Sequence, residues 1–452
     1  MELTRRKFIT GVSAATLATA LPLRRTLAQT VPTLPSLTTA RSQADNVFSR
    51  LLTLWNDGLN SARFRTGWLW TDFWKAGNTL DAAVNYWVIR NPSNTKTTAP
   101  GLIDKSLTYL FDKRRYGTGP WRDDYNWYGK AFANAYKNAA LLGLSSSLTN
   151  RCREAAITYG WTVCFNSATD SASYVPRNEA EKYVGSGFGA WNNGNVREYV
   201  NSPNPSTYSP VPNTVTNAGF WALSNLIYES VDINNPTYLN SMQRTFDWFW
   251  MFLEPGMLRN SVGLILETPN AAVHPAWCRD PNRAWTGDQG KFLCDCIKTR
   301  KKEPAGSVRS TNLTFLIDSL VQGFADRTNT LIGSDGVLRE FDSDTVVTDD
   351  NNSNFNNNYC TGPGVLMRYV GECYADMTAA QKAVFSPLII TSAQAAWNNR
   401  ASNYQIKAWY TNNLANTKYN KYYNKGTPSK TLWDFAFQAA ALDLLVARLR
   451  LY

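Results

Sequence analysis

Apolar residues recur three and four positions apart in segment after segment of this 452-residue chain, and no run alternates with the period of two that a half-buried strand requires. The spacing predicts twelve helices, near 41–58, 70–90, 102–112, 123–143, 148–165, 213–231, 236–253, 286–299, 308–328, 362–376, 378–400 and 431–449. Connections leaving even-numbered helices are mostly short, such as GLSS at 143–146 and DINNP at 232–236. Four connections leaving odd-numbered helices, at 166–212, 254–285, 329–361 and 401–430, are far longer than a compact domain needs for linkage alone. With consecutive helices antiparallel, all the long loops emerge on one face. Twelve helices with one decorated face describe an all-α fold, a single-domain (α/α)6 barrel over 41–452, whose inner helices are the even ones. Their N-termini, with unpaired N–H groups and the positive end of the dipole, then ring the floor of a cleft. An irregular solenoid of helical hairpins is the alternative, but no repeat of fixed period is visible.

The first residues fall outside this pattern. Arg5 and Arg6 precede Phe8 and a weakly apolar stretch rich in Ala, Thr and Gly, which ends at Thr26-Leu27-Ala28. This is the form of a twin-arginine signal peptide over 1–28, and it implies export to the periplasm, the cell surface or the medium. Pro and Thr residues over 29–40 predict a short extended tether, and no later stretch is apolar for long enough to span a bilayer.

Composition narrows the chemistry. Aromatic residues make up 13% of the chain, with 17 Trp and 22 Tyr, and charged residues only 18%. Trp and Tyr at this density fill cores, and they also line sugar clefts, where the pyranose face stacks on a ring. The net charge is +11. Five basic residues and one acidic residue lie within the first 28, which leaves about +7 for the rest. These charges are scattered and form no basic stripe or reading motif, so a nucleic-acid partner is not expected. The seven cysteines lack paired CxxC spacing, which argues against zinc. Cys278 could pair with Cys294 or Cys296 after export, or all could be buried thiols. The single histidine, His274, lies in a VHPAW loop with no nucleophile beside it, so a catalytic histidine or a multi-histidine metal site is not expected. Nothing calls for a cofactor, and a monomer is expected.

The segment GPWRDDYNWYGK begins with the breaker pair Gly119-Pro120 and then becomes strongly helical, which places Asp123 and Asp124 in the first turn of an inner helix. Acidic residues there ordinarily just complement the helix dipole, by about 0.3–1 kcal/mol each. Adjacent first-turn carboxyls can also stand about 5 Å apart, the separation that a retaining glycosidase needs between nucleophile and acid/base. The positive helix end favours one anion, whose charge raises the pKa of its neighbour. Trp121 and Trp127 flank the pair.

Here the sequence resembles glycoside hydrolase family 76, the endo-acting α-1,6-mannanases, whose members carry two consecutive aspartates followed after two residues by Trp at the start of an inner helix. RDDYNW has that form. GWLWTDFWKAGNTLDAAVNYW, TNAGFWALSNLIYE and WTGDQGKFL resemble the family's second, sixth and eighth helices, while GVLRE near Arg339 and SAQAAWNNR near Trp397 also fit. The resemblance implies Asp123 as nucleophile, Asp124 as acid/base and a glycosyl-enzyme intermediate. Two departures bear on specificity. The family usually shows Thr-Tyr-Asn-Gln-Gly ahead of the eighth helix, where this chain has Thr286-Gly287-Asp288-Gln289-Gly290, and Arg122 precedes the aspartates.

Substrate-binding candidates are Trp121 and Trp127 beside the aspartates, Trp191 and Asn192 in GAWNNGN, Trp285, Asp288 and Gln289 at the eighth helix, and Tyr359 and Tyr410 at loop ends. Trp70 and Trp74 fit the core, with one able to reach the cleft. The polar run TDDNNSNFNNNY at 348–359 lacks the Gly and Glu of an EF-hand, which favours a solvated or hydroxyl-binding loop over a calcium site. The expected activity is retaining hydrolysis of an α-linked polysaccharide, α-1,6-mannan foremost. A polysaccharide lyase or a non-catalytic glycan-binding toroid are the alternatives.

Overall fold

The chain begins its first helix at Leu37, inside the stretch expected to be tether, because Ser36 caps it: its Oγ accepts the Thr39 N–H at 3.2 Å. The computed structural model describes residues 32–60, 73–115, 122–165, 214–253, 256, 258–267, 284–326, 331–340, 361–404, 406 and 429–452. The signal, Trp70, Trp121, Trp191, Asn192, His274, Cys278, the 348–359 run, Tyr359, Cys360 and Tyr410 lie outside the described residues. The long helices among the described residues are α1 (Leu37–Asn60), α2 (Phe73–Arg90), α3 (Thr95–Arg115), α4 (Arg122–Lys137), α5 (Ser146–Glu154, continued by a π-helical stretch, Ala155–Trp161), α6 (Thr214–Ser230), α7 (Pro236–Leu253), α8 (Thr286–Arg300), α9 (Val308–Ala325), α10 (Gly362–Cys373), α11 (Ala379–Asn398) and α12 (Ser429–Leu449). All belong to one compact unit, Val31–Tyr452.

The even helices form a closed ring: α2 packs on α4, α4 on α6, α6 on α8, α8 on α10, α10 on α12, and α12 on α2 again. Helices α1, α5, α7 and α9 lie outside the ring against α12, α4, α6 and α8 respectively, and α11 also rests on α12. Burial follows this arrangement. Almost every residue of α6, α8 and α10 is enclosed, as expected for helices with neighbours on all sides, whereas α9 buries only a stripe that includes Leu313, Leu316, Ile317, Leu320 and Phe324. The C-terminal turns of α2, α4, α6, α8 and α10 and the residue after α12 line one cavity of about 560 Å³. The six inner helices therefore run parallel, with their N-termini at the other end.

Helix α3 starts at Thr95, seven residues before the predicted start, and passes through Pro100. The carbonyl of Asn94 accepts the Thr97 and Thr98 N–H groups and both of their hydroxyls, so the first turn is secured before the proline interrupts the ladder. Helix α5 meets α4 at two glycines. A Cβ on Gly160 would lie 2.5 Å from the Gly129 Cα, a contact that side chains do not make. We expect Gly160→Ala to lower stability by about 1–3 kcal/mol, read as a fall in Tm, because backbone must separate from backbone to admit the methyl group.

Three of the long connections share a built-in feature. Antiparallel bridges join Arg259 to Ile265, Ile332 to Leu338 and Arg400 to Ile406, each spanning six residues, after α7, α9 and α11. The fifth residue of each turn has positive φ: Gly263 at 91°, Gly336 at 72° and Tyr404 at 63°. These turns seat the inner helices. Glu267 O accepts the Thr214 N–H and Leu266 O the Thr214 hydroxyl at the start of α6. At the start of α8 the Glu340 carboxylate accepts the Thr286 N–H at 2.9 Å, and Arg339 O its hydroxyl at 3.0 Å.

The ring encloses charge as well as apolar surface. Arg368 on α10 makes a bidentate pair with Asp443 on α12, at 2.9 and 2.5 Å, and also reaches Asp81 and Asn78 on α2. Lys130 on α4 bonds Asp81 at 3.0 Å and Glu372 at 2.6 Å, with its ammonium 4.1 Å from the Tyr369 ring centre. Burial pushes the Asp443 carboxyl up to about 6 against the pull of Arg368. Burial works the same way on Asp81, but Lys130 and Arg368 together hold it below its usual range.

Candidate active site

Asp123 and Asp124 stand in the first turn of α4, where the ring's N-termini gather. Asp123 is half-buried, with its Oδ1 closed off from solvent and without a hydrogen-bond partner, while the backbone N–H groups of Asp123 and Asp124 at the helix start favour its anion. One turn on, Asn126 donates to Thr216 O at 3.2 Å and so ties the start of α4 to the start of α6. Trp127 is buried below, 5.5 Å from the ring of Trp74 on α2 and 6.2 Å from that of Trp285 ahead of α8, which it meets edge-on. Of the two tryptophans expected on the second helix, Trp74 thus joins this aromatic floor.

The structure adds a residue that the sequence reading passed over. Lys291 on α8 is buried, and its Nζ lies 3.5 Å from the Trp127 ring centre and 5.7 Å from that of Trp285. Burial among aromatic rings lowers its pKa to about 7, against the opposing pull of Asp288 and Asp123. Asp123 is raised to about 6, chiefly by burial, with Lys291 pulling it down and Glu267 pushing it up. Lys291 and Glu267 are therefore part of the site's electrostatics. The signal for Lys291 was available in WTGDQGKFL, where a lysine sits three residues after Asp288 on an otherwise enclosed helix.

The candidates at the start of α8 lie deep. Trp285 is buried, and its ring fills the space where a side chain at position 287 would stand: a Cβ there would be 2.6 Å from Trp285 Cη2. Gly287 is thus the residue that this tryptophan orientation requires. Asp288 is fully buried, neither carboxyl oxygen has a hydrogen-bond partner, and burial raises its pKa well above the usual range. Gln289 is also fully buried. Its amide donates to Ile265 O and accepts the Ile265 N–H, and also donates to Trp285 O, so it ties the turn that seats α6 to the start of α8.

Two predictions follow from the charges on this floor. Between pH 3.8 and about 6 the folded Asp123 carboxyl holds a proton that the unfolded chain releases, so its contribution to stability falls as pH rises through that window. The anion fraction rises through the same window, and we expect the acid limb of kcat/KM to have its midpoint near pH 6. Lys291→Met removes the cation that opposes protonation, which should move that limb to higher pH; a limb that stays in place would show Lys291 to be electrostatically idle.

No family model matches the chain, and no curated protein matches it in sequence. Solved structures do match. The α-1,6-mannanase GH76A from Salegentibacter sp. HEL1_6 aligns with a TM-score of 0.57 at 14% identity, over 90% of this chain and 99% of its own. Dfg5 from Chaetomium thermophilum, solved in complex with glucosamine, aligns with a TM-score of 0.63 at 14% identity, over 92% of each chain. The fold is an (α/α)6 toroid. A possible member of the GH105 family from Salmonella enterica serovar Paratyphi A shares the toroid, with a TM-score of 0.53 at 11% identity over 95% of this chain and 98% of its own. A variant of the Salegentibacter mannanase with two consecutive aspartates replaced by alanine is inactive and has been solved in complex with α-1,6-mannotetrose; it aligns with a TM-score of 0.56 at 14% identity.

Proposed function

We propose that this toroid is a retaining glycoside hydrolase acting on an α-linked polysaccharide, with α-1,6-mannan the favoured substrate, and that it is exported by the twin-arginine route. The observation that carries the reading is the Asp123-Asp124 pair in the first turn of an inner helix, above a floor of Trp74, Trp127 and Trp285. The loss of activity in the toroidal mannanase without its consecutive aspartates supports it.

In this reading the Asp123 carboxylate attacks the anomeric carbon while Asp124 gives its proton to the departing glycosidic oxygen, and a glycosyl ester forms on Asp123. Asp124, now an anion, takes a proton from water, whose oxygen displaces Asp123 and restores the original anomeric configuration. The helix-start N–H groups of Asp123 and Asp124 favour the Asp123 anion both before attack and as it leaves. Trp74, the half-buried member of the floor, offers a face on which a sugar ring can stack, while Trp127 and Trp285 are buried and support the acid pair from beneath.

The direct test incubates the protein with α-1,6-mannan, dextran and bacterial wall glycans and follows the new reducing ends by proton NMR. Release of α-configured mannose ends from α-1,6-mannan is the expected result. Inverted products would remove the retaining mechanism. Unsaturated ends that absorb in the ultraviolet would assign the toroid to lyase chemistry, and binding without turnover would make it a glycan-binding protein.

A further inference from the structure

We propose that the cavity at the C-terminal ends of the inner helices is a second binding site, for a small polyhydroxylated oxyanion: a phosphorylated or carboxylated monosaccharide. It lies at the opposite end of the ring from the aspartates. Fourteen helical residues separate Asp123 from Lys137 on α4, a rise of roughly 21 Å. Its volume of about 560 Å³ is within the range of small-molecule sites.

Helix C-termini present carbonyl oxygens, and lysines near them are ordinarily answering that negative end. Five cationic side chains line this cavity, but only three acids do, and each acid is already matched. Glu229 pairs with Lys302 at 2.6 Å, Asp376 with Lys301 at 2.6 Å, and Glu372 with Lys130 at 2.6 Å, with Lys298 more distant at 3.8 Å. No ion pair among the described residues uses Lys137 or Arg450. Lys137 is exposed and can answer carbonyls from the rim. Arg450 is different, because it is half-buried and its stem is fitted against α10: a Cβ on Gly371 would stand 3.1 Å from Arg450 Cδ. A half-buried guanidinium that no carboxylate among the described residues contacts has unused donors, and a bound oxyanion would engage them with a two-pronged hydrogen bond. Lys298 and Lys137 supply further donors from α8 and α4.

The rest of the lining suits hydroxyl groups rather than a second anion. The amide nitrogens of Asn85 and Asn138 are engaged by Asp81 and Asn134, and no hydrogen bond among the described residues uses either side-chain oxygen. Those two acceptors, with Val88 and Leu226 beside them, offer a sugar its usual mixture of hydroxyl acceptors and apolar contact.

Isothermal titration of the full chain with mannose 6-phosphate, glucuronate, inorganic phosphate and mannose tests the site. We expect one equivalent of a sugar anion to bind, with the phosphate and carboxylate arms showing which oxyanion is preferred. Inorganic phosphate should bind more weakly and mannose not at this site. Arg450→Gln with Lys137→Gln should weaken sugar-anion binding by roughly 10- to 100-fold while leaving polysaccharide hydrolysis in place. Should Arg450→Gln disturb folding, Lys137→Gln alone, at an exposed position, should still give a weakening of severalfold. Absence of binding at millimolar sugar anion would overturn the proposal. So would unchanged affinity in the variants, or displacement of the anion by α-1,6-mannotetrose, which would place it in the cleft.

Discussion

Asp123→Asn should lower hydrolysis of α-1,6-mannan by roughly 10⁴-fold or more, because a carboxamide neither attacks the anomeric carbon nor leaves as an anion. Its effect on the fold should be opposite in sign to its effect on rate. The native state holds this carboxyl above its usual pKa, so at neutral pH the anion is a burden that the neutral amide removes, and Tm should hold or rise. Asp124→Asn separates the two roles. It should cost about 10²- to 10⁴-fold on mannan, where the leaving oxygen needs a proton, and far less on an aryl glycoside whose leaving group departs unaided. Parallel kinetics on the two substrates read this directly. An Asp124→Asn variant slowed equally on both would reassign that residue, and an active Asp123→Asn variant would dismiss the glycosidase reading altogether.

The largest effect on stability belongs to the ring's charged interior. Arg368→Met should destabilise the protein by about 3–5 kcal/mol, the usual consequence of stranding a buried partner. Here Asp443 would be stranded, since Arg368 is its ion-pair partner, while Asp81 would keep Lys130 alone. Urea denaturation followed by circular dichroism measures it. Adding Asp443→Leu to Arg368→Met should recover part of the loss, because one orphaned charge goes with its partner. A single variant of near wild-type stability would show that water or rearrangement meets the charge.

The helices were readable because an inner helix and its outer partner leave different marks: apolar on all sides in one case, a stripe in the other. Loop length carried the polarity of the barrel, and with it the position of Asp123 and Asp124. The start of α3 was not readable, because Pro100-Gly101 is written as a boundary and only the bonds at Asn94 reveal that the helix precedes it. Nor was the charged interior. Asp81, Lys130, Arg368 and Asp443 come from four helices separated by up to 362 positions, and a polar residue on a periodic helix reads as solvent-facing until its partners are known. Lys291 was hidden in the same way. Gly287 is the instructive intermediate: its departure from the resembled family was visible, but its cause, the ring of Trp285 above it, was not.

The three bridged turns after α7, α9 and α11 have a consequence for how such a protein can change. Each closes between residues six positions apart, and two of them grip the first residue of an inner helix, so the scaffold is clasped within the first part of each connection. Insertions, deletions or wholesale grafts beyond the clasp leave the barrel's seating bonds untouched. Substrate preference can then drift, or be engineered, by exchanging loops as cassettes, while the acid pair stays on a frame that does not register the exchange.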